Sequence, residues 1–290
     1  MGAFSFFFAS FLLFISLNFH PGLCRKASDR GSDEVTSTGR EAMEIINRGD
    51  GTSRAPSPEY TGDCHVLHLL RRPVLSLKTS YSKGTTTQSR DLQNELKKDP
   101  CGYTKTWTGK DICKYRGFTC EKLSDKTKLN ALAAIDFNGP NFEGQDLRLD
   151  DSLEELNELA IFHANSDKFT GNIPLNVSNL QCLYELDLSN NMLNGDLPMV
   201  VFKAKNLPFL DLRFNNFKGV VPREAFNLDV DVLFINNNVF TQMLPDNVGN
   251  TTVLFLTFAN NNFAGPIPSS IGKAKNLLEV LFLNNQLSGC

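Results

Sequence analysis

From Ile135 onward one pattern returns along the chain. Its glycine position falls at 144, 171, 195, 219, 242, 265 and 289, in steps of 27, 24, 24, 23, 23 and 24, with Gln at 242 alone. The clearest unit runs Leu186-Asp187-Leu188-Ser189-Asn190-Asn191-Met192-Leu193-Asn194-Gly195 and on to Leu197-Pro198; the next runs Leu210-Asp211-Leu212-Arg213-Phe214-Asn215-Asn216-Phe217-Lys218-Gly219 and on to Val221-Pro222. A unit this short cannot enclose its own apolar face, so successive units must stack and share one core. The alternating apolar pair points inward from a short strand. The Asn two residues later turns the chain, and its amide can satisfy backbone groups that stacking would bury. Leu193, Phe217, Phe240, Phe263 and Leu287 return to the core, Gly permits an unusual backbone angle, and proline starts the convex segment. Of 29 asparagines, 26 lie at or after Asn130, as a repeated turn requires.

A period of this length with L-x-L-x-x-N-x-L is the leucine-rich-repeat signature. The L-x-x-N-x-L-x-G-x-I-P register looks like the plant-type repeat, and that resemblance implies an α/β-type solenoid: a plant-type leucine-rich-repeat right-handed superhelix with a concave parallel β-sheet and an N-terminal disulfide cap. Three segments narrow the likeness: Asp111-Ile112-Cys113-Lys114-Tyr115-Arg116-Gly117-Phe118-Thr119-Cys120, Ile161-Phe162-His163-Ala164-Asn165-Ser166, and Tyr184-Glu185-Leu186-Asp187-Leu188-Ser189-Asn190-Asn191. Over residues 90–290 these resemble the repeat domain of plant leucine-rich-repeat extensins, closest to relatives that lack the extensin tail. The resemblance implies secretion to the cell wall, and binding of small basic cysteine-rich peptide hormones that link wall sensing to growth. The pattern departs from the family at Pro140 and Asp167, which replace the turn Asn, and at Gln242. The sequence ends at Gly289-Cys290 inside a repeat, which suggests a truncated product.

Four regions follow. Residues 1–24 read as a signal peptide, because Phe4 to Phe19 is almost wholly apolar and runs into Gly22-Leu23-Cys24 before Arg25-Lys26. Residues 25–88 are low-complexity and too poor in apolar side chains to offset the entropy of ordering, so disorder is expected. Cys64, His65 and His68 lie there, but no second ligand pair follows, so no metal site is expected. Residues 89–131 form a cap, with Asp91–Lys98 read as a short amphipathic helix and Cys113–Cys120 as a disulfide loop. Residues 132–290 hold about six to seven repeats, the last incomplete. The pairing of Cys64, Cys101, Cys182 and Cys290 is open.

Net charge is -3 overall but -9 over residues 132–290. That excludes a nucleic-acid partner and suits a basic one. The side chains alternating with the core pair line the concave sheet. The ligand-binding candidates are Asp136, His163, Asn165, Glu185, Asp187, Phe209, Asp211, Arg213, Phe234 and Phe255. The early coils are acidic and the later ones aromatic, and stacked carboxylates repel, so the aspartates are expected to serve binding rather than stability, beside exposed phenylalanines. Asn176-Val177-Ser178 and Asn250-Thr251-Thr252 are glycosylation acceptors that leave this sheet open. No nucleophile motif accompanies His163, and a smooth sheet offers no closed pocket, so no catalysis and no cofactor are expected. The resulting expectation is an extracellular recognition scaffold for a protein or peptide. The partner could also be a wall polysaccharide or a wall-degrading enzyme, as in polygalacturonase inhibitors, or the chain could be a receptor-kinase ectodomain. No stable membrane span is expected.

Overall fold

The computed structural model describes residues 96–289 apart from 110, 123–129, 145–146, 150–152, 154–155, 157 and 205–206. The signal segment, the 25–88 stretch with its Cys64, His65 and His68, and Cys290 lie outside the described residues.

Each coil supplies one three-residue strand: Ile161–His163, Glu185–Asp187, Phe209–Asp211, Val232–Phe234, Phe255–Thr257 and Glu279–Leu281. These pair in parallel, each with the next, and the row begins at Asn130–Asp136, which is antiparallel to Phe118–Lys122 of the cap. Strand alternation sends Phe162, Leu186, Leu210, Leu233 and Leu256 into the shared core. Smaller parallel pairings of Asn194–Asp196, Asn216–Gly219 and Val239–Phe240, and of Ala264–Pro266 with Gln286–Ser288, follow on the next side of each coil.

The turn asparagines form the ladder that the sequence implies. Asn215 Nδ2 donates to the carbonyls of Leu188 (2.8 Å), Leu212 (3.2 Å) and Arg213 (3.3 Å), while its Oδ1 accepts from Leu193 N–H (3.0 Å). Asn191, Asn238, Asn261 and Asn285 repeat the pattern. One amide per coil thus serves backbone groups of its own coil and of the one before.

The convex segments are 3-10 turns, Leu175–Asn179, Met199–Lys203, Arg223–Phe226, Asp246–Asn250 and Ser269–Lys273, each capped by the proline before it. They are the helical part of this α/β-type solenoid, since so short a coil leaves room for one tight turn only. Glycine suits a left-handed turn that the preceding coil crowds. Gly219 sits at φ 71°, and a Cβ there would lie 2.6 Å from Asp196 Oδ1.

The cap closes the first coil. Trp107 packs among Tyr115, Phe118, Phe137 and Phe142, and its Nε1–H donates to Arg116 O at 3.0 Å. The expected Cys113–Cys120 disulfide is present. Its loop docks through Gly117, whose carbonyl accepts from Asp136 N–H at 2.7 Å. Cys182 is buried in the repeat region. One expectation fails. Leu96–Lys98 is not the end of a helix but a strand antiparallel to Glu143–Gly144. Tertiary contacts outweigh helix propensity here: Leu96 packs on the core, and Lys98 Nζ pairs with Glu143 Oε2 at 2.6 Å.

Candidate recognition face

Strand register sets three columns on the concave side. Ile161, Glu185, Phe209, Val232, Phe255 and Glu279 are partners in one column. Asp136, His163, Asp187, Asp211, Phe234, Thr257 and Leu281 form the next. Asn165, Ser189 and Arg213 lie two residues beyond the second column. Eight of the ten candidates therefore lie on adjoining strands, about 4.8 Å apart from coil to coil, and Asn165 and Arg213 lie just past the strand ends.

The carboxylates have a fold role that the sequence reading denied them. Leu188 N–H donates to Asp211 O and Asn190 N–H to Arg213 O, both on the next coil, so the amide between them faces the concave side without a sheet partner. Asp187 Oδ1 takes that Ser189 N–H at 2.9 Å and the Ser189 hydroxyl at 2.7 Å. Asp136 Oδ1 does the same for Asn138 N–H (2.9 Å) and Asp211 Oδ1 for Arg213 N–H (3.1 Å). These are Asx turns, and each caps a strand end. The spacing Asp-x-Ser or Asp-x-Arg carried this signal.

Polar side chains then link coil to coil. His163 Nε2 meets Glu185 Oε2 at 2.9 Å, and His163 Nδ1 faces Asn138 Nδ2 at 3.4 Å. Asn165 Nδ2 donates to Ser189 Oγ at 2.5 Å. Arg213 Nε lies 2.9 Å from Asp211 Oδ2, an ion contact rather than an aligned hydrogen bond, and the guanidinium stands 5.4 Å above the Phe234 ring.

Burial and like charge shift these groups. Burial pushes the Asp211 carboxyl up to about 7, with Asp187 adding to the rise and Arg213 opposing it. Asp136 is also raised, by burial first, against the Asn138 amide and His163. Burial alone would lower His163. The Glu185 hydrogen bond and the charges of Asp187, Glu185 and Asp136 outweigh it, and its pKa rises.

Exposure departs from expectation. Phe234 and Phe255 are not exposed; they are 9% and 8% accessible and cluster with Val232, Phe209 and Leu254 apart from the solenoid core. Asp211 is fully enclosed, and His163, Asn165, Glu185, Asp187 and Arg213 are buried. Large side chains in register on neighbouring strands pack sideways on one another. Asp136, Asn138, Phe209, Phe214 and Asn236 keep part of their surface. Among the described residues no cluster of three or more His, Cys, Asp or Glu could hold a metal ion, and no helix is long and apolar enough to cross a membrane.

These coils, their asparagine ladder and their parallel sheet make the molecule a leucine-rich-repeat solenoid. The leucine-rich-repeat family model matches residues 182–203. In sequence the chain is similar to the leucine-rich repeat extensin-like proteins of Arabidopsis thaliana. It is 37% identical to number 3 over 211 residues, covering 68% of this chain and 27% of that protein, and 44% identical to number 4 over 142 residues, covering 49% and 28%. The chain thus spans well under a third of the length of these relatives. Among solved structures it is similar to a pollen receptor kinase 3 (26% identity, TM-score 0.57, 70% of this chain and 96% of that one). It is also similar to the PEPR1–AtPEP1 structure (25% identity, TM-score 0.56, 70% and 32%).

Proposed function

We propose that this is a secreted cell-wall scaffold whose concave face binds a basic peptide or protein segment and performs no chemistry. The observation that carries this is the convergence of Asp136, His163, Glu185, Asp187 and Asp211 on neighbouring strands, where Arg213 is already held by Asp211 and His163 by Glu185. Burial draws part of this row toward the neutral form, and the charge that remains is screened less than it would be in open water. Asp136 and Phe209 keep surface for direct contact, and the buried carboxylates act through that remaining charge. Similarity to the extensin-like proteins supports wall localisation, and the PEPR1–AtPEP1 likeness supports a peptide ligand. Small basic cysteine-rich peptides are the ligand class that fits both charge and family.

A decapeptide alternating arginine and leucine, titrated onto the immobilised protein, tests this. Salt-sensitive binding is expected, with its glutamate-leucine counterpart not binding. Asp136→Asn with Asp187→Asn keeps both Asx turns and removes charge; affinity should fall about ten-fold. Equal binding of the acidic decapeptide would overturn the reading.

The second reading is a receptor-kinase ectodomain, favoured by the match across nearly all of the pollen receptor kinase chain. A full-length transcript carrying a transmembrane helix and a kinase would decide for it.

Glycosylation of Asn176 and Asn250 is part of the same proposal. Asn250 is exposed at the end of a convex 3-10 turn and Asn176 is half-buried in another, both away from the concave strands. Protein secreted from plant cells should shift in gel mobility on N-glycosidase treatment. Asn250→Gln should remove one step of that shift and leave peptide binding unchanged.

A further inference from the structure

We propose that Phe214 selects an apolar side chain in the peptide held by the concave face; this rests on the reading above. The residue before each turn position adopts the left-handed backbone: Gly139, Ser166, Asn190, Phe214, Asn237, Asn260 and Asn284, with Phe214 at φ 53°. Glycine has no Cβ to clash there, and asparagine tolerates the region through local hydrogen bonds. A bulky aromatic is an outlier in it.

The substitution also breaks a hydrogen-bonded row. Asn284 Nδ2 donates to Asn260 Oδ1 (2.7 Å), and Asn260 Nδ2 donates to Asn237 Oδ1 (3.0 Å). Phe214 has no amide to continue the row toward Asn190, whose Nδ2 turns to Ser189 Oγ at 3.5 Å. The core does not repay this loss. Phe214 is half-buried and belongs neither to the solenoid core nor to the concave apolar cluster.

Strained residues that persist without a packing reason concentrate where a molecule acts. Phe214 sits in the coil where the concave face changes character. The coils before it carry Asp136, His163, Glu185 and Asp187, and those after it carry Val232, Phe234 and Phe255. Its chain neighbour Arg213 is held by Asp211 and covers Phe234, while Phe214, three residues after Asp211, keeps part of its surface. A cationic peptide lying across the strands would set its charges over the early coils and an aliphatic or aromatic side chain on Phe214.

Two decapeptides, one alternating arginine with leucine and one arginine with serine, test the assignment. The wild-type chain should bind the leucine peptide about ten-fold more tightly. Phe214→Asn should erase that preference, leave serine-peptide binding intact, and raise Tm by about 3 °C as strain is relieved. Phe214→Tyr, which keeps the ring, should retain the preference. A Phe214→Asn chain that folds and still prefers leucine by the wild-type margin overturns the assignment while the basic-peptide reading stands. If the wild-type chain binds neither peptide in a salt-sensitive way, that reading falls and the assignment falls with it.

Discussion

Asn215→Ala should lower Tm by roughly 8–16 °C, the largest effect expected of any single polar substitution in the repeats. The side chain is buried and makes four hydrogen bonds, three from Nδ2 to carbonyls and one at Oδ1 from Leu193 N–H. Alanine leaves those backbone groups between two coils with no water to replace the amide. A buried unsatisfied group costs about 1–3 kcal/mol, and with partial relaxation the four together cost about 4 kcal/mol. Asn216→Ala is the control: its side chain is exposed, and the Asn216 N–H to Leu193 O bond survives the change. Thermal melts by circular dichroism compare the two. Similar melting temperatures for both variants would mean that the ladder does not hold the coils together.

Asp167→Asn should do the opposite and stabilise the chain. Asp167 occupies a ladder position. Its Oδ1 accepts from Phe142 N–H at 2.8 Å, as the ladder asparagines do one coil on. Its Oδ2 is buried and has no hydrogen-bond partner. By coil register this atom replaces the amide nitrogen that elsewhere donates to three carbonyls, which a carboxylate cannot do. Burial, the first cause, pushes its pKa well above the ordinary carboxylate value, with the charges of Asp136 and Asp99 adding to the rise against the amides of Phe142 and Asn141. Asparagine restores the donor, so a gain of about 2 kcal/mol, or roughly 4–8 °C in Tm, is expected near neutral pH.

The pH dependence has a definite sign. A carboxyl whose folded pKa is raised binds a proton more tightly when folded. Its contribution is complete below the unfolded pKa and is lost as pH rises through the folded value. Asp167 and Asp211 both act this way, and His163, also raised, loses its contribution in the same direction. Glu143 is held down to about 2 by Lys168 and Lys98 and titrates below this range. The wild-type Tm should therefore fall between about pH 5 and pH 8. Asp167→Asn should flatten part of that fall, with its gain over wild type larger at the alkaline end. A gain that is the same at both ends would remove the buried carboxyl as the cause.

Much of the fold was legible because a stacked coil imposes the same demand at the same place every turn. The ladder asparagines, inward leucines, capping prolines and concave columns all recur at a fixed spacing, and the structure bears them out. The Cys113–Cys120 loop was legible from its short separation. The Leu96–Lys98 strand was not, because its partner Glu143–Gly144 is distant in sequence and outweighs the local helical pattern. The Asx turns were not legible, because an aspartate in a strand reads as a charge until the amide that the neighbouring coil leaves without a sheet partner is known. Phe214 escaped because one aromatic in a run of asparagines has no meaning until its backbone angle is known.

The residues alone determined that the chain coils, what lies inside each coil and which side chains share the concave face, since these follow from a period that no other fold satisfies. Tertiary structure alone decided how open that face is, where its protons sit and which ring is strained. Those depend on how side chains from neighbouring coils close over one another, and a repeat read one unit at a time does not contain that contact.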